Sequence, residues 1–145
     1  MKIRLLTKEG VEDCVEIIAR NYSSKDTAWA RRELQAMFPK GKLKPTYYVA
    51  EEDNEILGFA GFINSWIDDR IYEIFWVNVT PQRQRQGIGR KLVSKLITEI
   101  KKRKDSQLIM LTASKANAIY YKRHFEFESV DTFSPKKSHI MLLKL

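Results

Sequence analysis

Cysteine, glycine and proline are scarce in this sequence, and their scarcity excludes several classes of protein. Cys14 is the only cysteine, so the chain cannot form an internal disulfide. The 145 residues include 6 glycines and 4 prolines, and no stretch is dominated by Ser, Gln or Pro, which argues against linkers and disordered tails. We therefore expect an ordered chain. The apolar neighbours of Cys14 predict a core residue inside a helix, not a nucleophile.

Long hydrophobic runs are also missing. No segment approaches the roughly 18 apolar residues that a membrane span requires, and the apolar stretch at residues 1–6 is too short for a signal peptide. These absences predict a cytoplasmic protein with no membrane partner. Hydrophobic residues make up 43% of the chain and aromatic residues 11%, which is enough for one core and leaves little for a second. We predict a single domain over residues 1–145.

Basic residues outnumber acidic ones, which gives a formal net charge of +8 and a pI of about 9.6. This excess attracts anions, among them nucleic acids, membrane surfaces and phosphorylated cofactors. The densest basic run, residues 101–104, falls where a helix should end, a position that favours cations through the helix dipole. The run contains no aromatic residue for base stacking, so we predict no nucleic-acid partner.

The hydrophobic pattern predicts the order βααβββαβαββ. Strands are predicted at residues 2–7, 47–50, 56–63, 71–79, 108–112, 125–133 and 140–145. Helices are predicted from about residue 9, over residues 26–38, over residues 88–100, and over residues 114–124 with Ser114 as its N-cap. A meander combined with one strand-helix-strand crossover predicts an α/β (α+β) fold: a mixed, mostly antiparallel, twisted sheet of about seven strands flanked by about four helices.

The most informative segment runs from a strand, through a tight loop, into a helix. Gly87 and Gly89 lie on either side of the predicted helix start, where bare backbone N–H groups and the helix dipole favour an anion such as a pyrophosphate. No Gly-Lys-Ser or Gly-Lys-Thr is present, and the three-glycine dinucleotide fingerprint is incomplete. A nucleoside triphosphate and NAD are therefore disfavoured.

Gln84-Arg85-Gln86-Gly87-Ile88-Gly89 resembles the signature of the GNAT superfamily of N-acetyltransferases: Gln or Arg, two residues, Gly, one residue, then Gly or Ala. The resemblance extends to the strand order along essentially the whole chain. It implies a GNAT-like fold, with acetyl-CoA as cosubstrate and no metal. It also implies that the backbone of Val77, Asn78 and Val79 contacts the pantetheine arm, in a slot opened by strands that splay after Val79. The implied pyrophosphate site consists of Gln84, Arg85, Gln86, Gly87, Ile88, Gly89 and Arg90.

A second feature of the family is a helix near the C-terminus that ends with a Tyr. A Gly-Phe pair follows this Tyr after a few residues. The segment from Tyr120 to Phe127 resembles it, with Glu126 where the family has Gly. The resemblance implies that Tyr121, or alternatively Tyr120, protonates the departing thiolate, which is a general-acid role. Tyr121 paired with Phe127 is the preferred register. Asn117, in the first turn of this helix, is implied to contact the pantetheine or sulfur region.

Direct transfer also requires a base, because an ammonium group has no lone pair with which to attack. Glu73 lies on the strand that leads to Val77, and spacings of four and six place it on the same face as Val77 and Val79. It is the candidate base. The implied acceptor pocket draws on a region rich in aromatic and acidic residues that suit a cationic amine. Its candidate contacts are Trp29, Trp66, Asp68 and Trp76, in a region that also contains Tyr47 and Asp69.

The function implied is transfer of acetyl from acetyl-CoA to a primary amine, by direct attack in a ternary complex. The acceptor is either a small molecule or a protein amine. The alternative is a module that binds acyl-CoA as a regulator without turnover. The implied partners are acetyl-CoA and the amine acceptor, with a homodimer as a possible assembly.

Overall fold

The computed structural model describes residues 1–130 and 138–145. Within these residues the helices are α1 (Val11–Asn21), α2 (Thr27–Gln35), α3 (Ile88–Lys101) and α4 (Lys115–Phe125). The strands are β1 (Lys2–Leu5), β2 (Thr46–Glu52), β3 (Glu55–Asn64), β4 (Ile71–Val79), β5 (Leu108–Ser114), β6 (Glu128–Ser129) and β7 (Ser138–Lys144). In the described part of the chain, no helix is long and apolar enough to cross a membrane.

The strands form one open sheet in the order β1-β2-β3-β4-β5-β7-β6. Neighbouring strands are antiparallel throughout, except for the parallel pair of β4 and β5. That parallel pair is joined by α3, as a crossover connection requires. The predicted fold class is confirmed: a mixed, mostly antiparallel sheet of seven strands with four helices in the described residues.

Two hydrophobic cores lie on opposite faces of the sheet. The apolar stripe of α3 packs on one face together with Tyr121 and Ala118 of α4. On the other face α1 and α2 bury Cys14, Ile18 and Leu34 against β2 and β3. The 3.6-residue period of the apolar positions in α1 and α3 determines this arrangement, since each helix has one stripe to bury. As predicted, Cys14 is fully buried, and burial raises the pKa of its thiol.

Several element boundaries differ from those predicted. The helix predicted over residues 26–38 is shorter, because Met37 and Phe38 donate to the carbonyls three residues back and the α-helical ladder ends at Gln35. Pro39 explains this tightening, since it disfavours α conformation in the residue before it. The first helix begins at Val11, after a 3-10 turn at Lys8–Gly10.

The strand predicted over residues 125–133 was placed too early. Helix α4 continues through Phe125, so β6 begins only at Glu128 and pairs with β7 over two residues. The rest of that prediction, from residue 131 onward, lies outside the described residues. β5 and β7 are longer than predicted, because their antiparallel pairing extends to Ser114 and Ser138.

Candidate functional site

A β-bulge interrupts β4 in the middle of the sheet. Phe75 pairs with Gly61 and Asn78 with Phe59, so two residues of β4 lie opposite Ala60 alone. Trp76, one of the two, has a positive φ of 52°, which is rare for a large side chain. Bulges re-aim the side chains that follow them, and they are frequent beside functional sites.

The bulge reverses which face of β4 each side chain occupies. Glu73 lies on the α1/α2 face with Phe75 and Trp76, whereas Val77 and Val79 pack on the α3/α4 face. The prediction that Glu73 shares a face with Val77 and Val79 is therefore wrong. It assumed unbroken alternation along the strand, and the extra residue shifts the alternation by one position.

β4 and β5 separate partway along their length. They pair only from Ile71 to Glu73 on β4 and from Leu108 to Met110 on β5, after which β5 continues beside β7. From Ile74 to Val79, the edge of β4 on that side has no strand partner among the described residues. The sequence prediction that the strands splay after Val79 is wrong in position, because the opening already begins after Glu73. Backbone polar groups along this stretch can pair with an extended ligand.

The turn between β4 and α3 exposes backbone N–H groups. Gly87 is the N-cap of α3 with φ of 83°, and the first helical hydrogen bond is donated by the Lys91 amide to the Gly87 carbonyl. Among the described residues, no group accepts a hydrogen bond from the amides of Ile88, Gly89 and Arg90. A Cβ at Gly87 would meet nothing within 4 Å, so open space lies in front of the turn. This is the geometry of an anion site.

Two glutamines of the signature hold the turn in place. The Gln84 side-chain amide donates to Asn21 Oδ1 and to the Val79 carbonyl, each at 3.1 Å. Asn21, at the end of α1, also donates to the Val79 carbonyl at 3.0 Å. Gln86 accepts from Arg83 Nε at 3.0 Å and donates to the Gln82 carbonyl.

The side chains that remain for an anion at the turn are two arginines, one in the signature and one directly after it. Arg85 and Arg90 are both exposed, and Arg85 adopts a positive φ of 59°. Ile88 is buried in the core beneath α3. The predicted pyrophosphate residues therefore divide into backbone donors, exposed arginines and side chains that shape the loop.

The two candidate tyrosines of α4 occupy different environments. Tyr121 is buried, and that burial raises the pKa of its hydroxyl to about 12, with smaller contributions from Tyr120 and Tyr22. Tyr120 is half-buried and packs 4.7 Å from the ring of His124. Burial raises the Tyr120 pKa and the charge of Arg90 lowers it. Tyr121 therefore belongs to the buried layer, whereas Tyr120 is partly exposed to solvent.

The end of α4 has a backbone that suits one of the two registers that the sequence allowed. Glu126 has φ of 64° and ψ of 24°, the left-handed conformation for which glycine is preferred. This is the conformation expected at the Gly of the Gly-Phe pattern, and the next residue, Phe127, is fully buried against Tyr121. Ser114 caps the start of α4 as predicted, by accepting from the Asn117 amide. Asn117 itself is exposed in the first turn.

A pocket of about 670 Å³ opens on the α1/α2 side of β4. It is lined by Tyr22, Asp26, Trp29, Glu33, Ala36, Pro45, Tyr47, Ile63, Glu73, Phe75 and Trp76. The structure thus brings the predicted Glu73, Trp29 and Trp76 together. Trp66 and Asp68 do not line it: Trp66 is 90% exposed on the β3–β4 loop, and Asp68 binds Arg70, which lowers its pKa to about 2.

Trp76 is the centre of an aromatic corner in this pocket. Its ring packs edge-on against Trp29 at 5.4 Å and Tyr22 at 6.4 Å, and its Nε1 donates to a Glu33 oxygen. Sequence reasoning missed Tyr22, Asp26 and Glu33. Glu33 lies four residues after Trp29 and so on the same face of α2, a signal that could have identified it.

Comparisons with known proteins agree with this geometry. The sequence model described as the acetyltransferase (GNAT) family matches residues 11–127. No curated protein sequence matches the chain.

Solved structures reproduce the fold over nearly the whole chain. A GNAT-family protein from Desulfovibrio desulfuricans superposes with a TM-score of 0.86 at 15% identity, covering 99% of this chain and 98% of that one. An aminoglycoside 6'-N-acetyltransferase complexed with coenzyme A gives 0.79 at 15% identity, with 99% and 97% covered. The PaiA N-acetyltransferase from Thermoplasma acidophilum, in complex with coenzyme A, gives 0.72 at 20% identity, with 100% of each chain covered.

Proposed function

The chain belongs to the acetyltransferase (GNAT) family, and from this premise we propose that it transfers an acetyl group from acetyl-CoA to a primary amine. Both substrates bind before reaction, and the amine attacks the thioester directly. The observation that supports this most strongly is the course of β4. Its separated edge leads into the turn at Gly87 that precedes α3. Three of its side chains, Glu73, Phe75 and Trp76, line the aromatic pocket. One strand therefore contributes to both substrate sites.

The residues at the turn fit the diphosphate of CoA. Unpaired amides at the start of α3 and the exposed Arg85 and Arg90 supply donors and positive charge. An extended pantetheine can lie along the edge of β4 that has no strand partner among the described residues, in the position of an additional strand. Acetyl-CoA bound in this way supplies the thioester carbonyl that the amine attacks.

Glu73 lies at the point where β4 leaves β5 and lines the acceptor pocket. We assign it the role of base: it takes a proton from the incoming ammonium, directly or through water, and frees the nitrogen lone pair. The nitrogen then forms the new C–N bond. Its position supports this assignment, because Glu73 faces the pocket and not the α3/α4 layer.

Tyr121 is assigned the role of acid. The phenol is protonated at neutral pH, as a tyrosine with an ordinary pKa also is, so it has a proton to donate. When the C–S bond breaks, sulfur takes the bonding pair and the Tyr121 proton, and CoA leaves as a thiol. The second proton lost by the nitrogen passes to solvent, Glu73 then releases its proton to solvent, and solvent restores the phenol.

The test is an acetylation assay on the recombinant chain. The protein is incubated with acetyl-CoA and a panel of primary amines, free thiol is measured over time, and the products are identified by mass spectrometry. The proposal predicts thiol release that depends on an amine, with one acetyl group added per thiol formed. Calorimetric binding of acetyl-CoA with no thiol release from any amine would instead identify a regulatory module.

A further inference from the structure

On the basis of the proposed function, we propose that the acceptor is an aliphatic diamine: Glu73 receives the amine that reacts, and Glu33 binds a second cationic nitrogen against Trp29 and Trp76. The acceptor pocket would then take a substrate that carries two positive charges and no carboxylate.

The pocket carries a charge opposite to that of the rest of the protein. The chain has 26 Lys and Arg against 18 Asp and Glu, yet the pocket lining includes Asp26, Glu33 and Glu73 and, among the described residues, no Lys, Arg or His. None of these three carboxylates forms an ion pair with a described basic side chain. A substrate carboxylate would meet only negative charge there, whereas cations would be attracted.

The carboxylates are spread through the pocket. Within the described residues, no three His, Cys, Asp or Glu side chains lie close enough to hold one metal ion. Glu73 comes from β4 and Glu33 from α2, on separate walls of the pocket. Two carboxylates from different elements, in a pocket that also presents aromatic side chains, match a substrate that carries one cation at each end of an apolar chain.

The Glu33 end is built to hold a cation. Trp76 donates to one Glu33 oxygen, which fixes the carboxylate, and the rings of Trp29 and Trp76 meet edge-on at 5.4 Å beside it. Ammonium groups bind well against indole faces next to a carboxylate. The apolar walls formed by Phe75 and Ile63 suit the methylene chain between the two nitrogens.

Tyr47 provides an independent indication that a polar ligand enters the pocket. Its side chain lines the pocket and is fully buried, yet its hydroxyl has no hydrogen-bond partner among the described residues. Leaving a buried hydroxyl unpaired costs stability. The charge of Glu33 is one of the causes that raise the Tyr47 pKa, after burial itself. A cationic nitrogen bound in the pocket beside Tyr47 would offer this hydroxyl a hydrogen-bond partner.

The test compares three acceptors that each contain four carbons and differ at one end. Diaminobutane carries a second ammonium, butylamine ends in a methyl group, and aminobutanoate ends in a carboxylate; the diaminohexane and hexylamine pair repeats the comparison at a longer spacing. We expect kcat/KM for a diamine to exceed that for the matching alkylamine by about tenfold or more, and aminobutanoate to be the poorest acceptor.

Glu33→Gln is the variant that tests the assignment. Glutamine keeps an oxygen that can accept from Trp76 Nε1 but removes the negative charge. The diamine-to-alkylamine ratio of kcat/KM should fall about tenfold or more in this variant. Asp69→Asn is the matched control, because it removes the same charge from an exposed residue that does not line the pocket. It should leave the ratio unchanged.

Binding is measured separately from turnover by tryptophan fluorescence. A Trp66→Phe background removes the exposed indole and leaves Trp29 and Trp76 as reporters. If diamines alter the fluorescence but are never acetylated, the assignment of the pocket to a diamine ligand stands and the proposed function fails. If alkylamines or aminobutanoate are acetylated as efficiently as diamines, or if Glu33→Gln keeps the ratio, the inference is overturned and the function stands. If no amine binds and none is acetylated, both the inference and the proposed function are overturned.

Discussion

Tyr121 and Phe127 pack against each other across the end of α4, with ring centroids 5.8 Å apart at 64°. The left-handed Glu126 between helix and strand turns the chain so that Phe127 enters the core beneath Tyr121. This contact fixes Tyr121 in the buried layer. Its neighbour Tyr120 is left half-buried beside His124. The two tyrosines are adjacent in sequence but have different chemical surroundings.

That difference predicts unequal effects of removing each hydroxyl. Tyr121→Phe should lower kcat by about a hundredfold or more, because the departing thiolate loses its proton donor. Tyr120→Phe should change kcat by less than about threefold, since Tyr120 is half-buried and is not the residue assigned as the acid. Steady-state kinetics with saturating acetyl-CoA measure both. Equal losses in the two variants would contradict the assignment of the acid to Tyr121.

Glu73→Gln should produce an activity that depends steeply on pH. Without a base, only the fraction of acceptor already present as free amine can react, and this fraction rises about tenfold per pH unit below the amine pKa. We expect kcat/KM at neutral pH to fall about a hundredfold and the deficit to shrink as pH rises. The measurement is a pH profile of both proteins with one amine. Parallel profiles would rule out a role for Glu73 as base.

Gly87→Ala should weaken acetyl-CoA binding. A Cβ at Gly87 meets no protein atom, but the left-handed φ of 83° is strained for alanine and the methyl group projects into the space in front of the turn. We expect the Kd for acetyl-CoA, measured by calorimetry, to rise about tenfold. Gly41→Ala is the control: its Cβ also has open space, and Gly41 has no positive φ. An equal rise in the Kd for both variants would contradict a role for the Gly87 turn in binding acetyl-CoA.

Glu126→Gly should stabilise the protein. A non-glycine residue in the left-handed region costs roughly 1–2 kcal/mol, and glycine relieves most of this. We expect the free energy of unfolding to rise by about 1 kcal/mol. Glu126→Ala separates backbone strain from the loss of the carboxylate, because alanine keeps the Cβ and should stay near the parent protein. Urea unfolding midpoints of the three proteins measure the change in stability. A Glu126→Gly variant no more stable than Glu126→Ala would refute the predicted relief of backbone strain.

The protein should lose stability in alkaline solution. The Tyr121 hydroxyl has a pKa of about 12 in the folded chain against an ordinary value of 10.0, and burial also raises the pKa of Tyr47. The folded state therefore binds more protons than the unfolded state above pH 10. The stabilisation is fully present below pH 10 and is lost as pH rises toward 12.

This alkaline loss can be assigned to one residue by substitution. Thermal unfolding from pH 8 to pH 11 measures it. Tyr121→Phe has no hydroxyl to titrate and should show a weaker dependence on pH than the parent protein. Identical pH dependences in the two proteins would show that Tyr121 does not contribute.

Several features of the candidate site could be predicted from sequence because they depend on local spacing. Two glycines at a helix start require a particular backbone, and the capping Ser114 and the apolar stripe of α3 are set within a few residues. The order of helices and strands along the chain follows from the same local periods. The composition of the acceptor pocket was predicted only in part. Trp29 and Trp76 are in it, whereas the aromatic Trp66 is exposed on a loop.

The sequence by itself determined the type and order of the elements, because these depend on hydrophobic periodicity. It also determined the position of the turn at Gly87 before α3, because few residues adopt the backbone conformation of that turn. Only the tertiary structure decided which face Glu73 occupies, where β4 leaves β5, and that Glu33 meets Trp76. A bulge adds one residue without any sequence period to mark it, and strand separation depends on the pairing of β5 with a strand more than twenty residues further on. Both arise from contacts between distant segments, which no local pattern encodes.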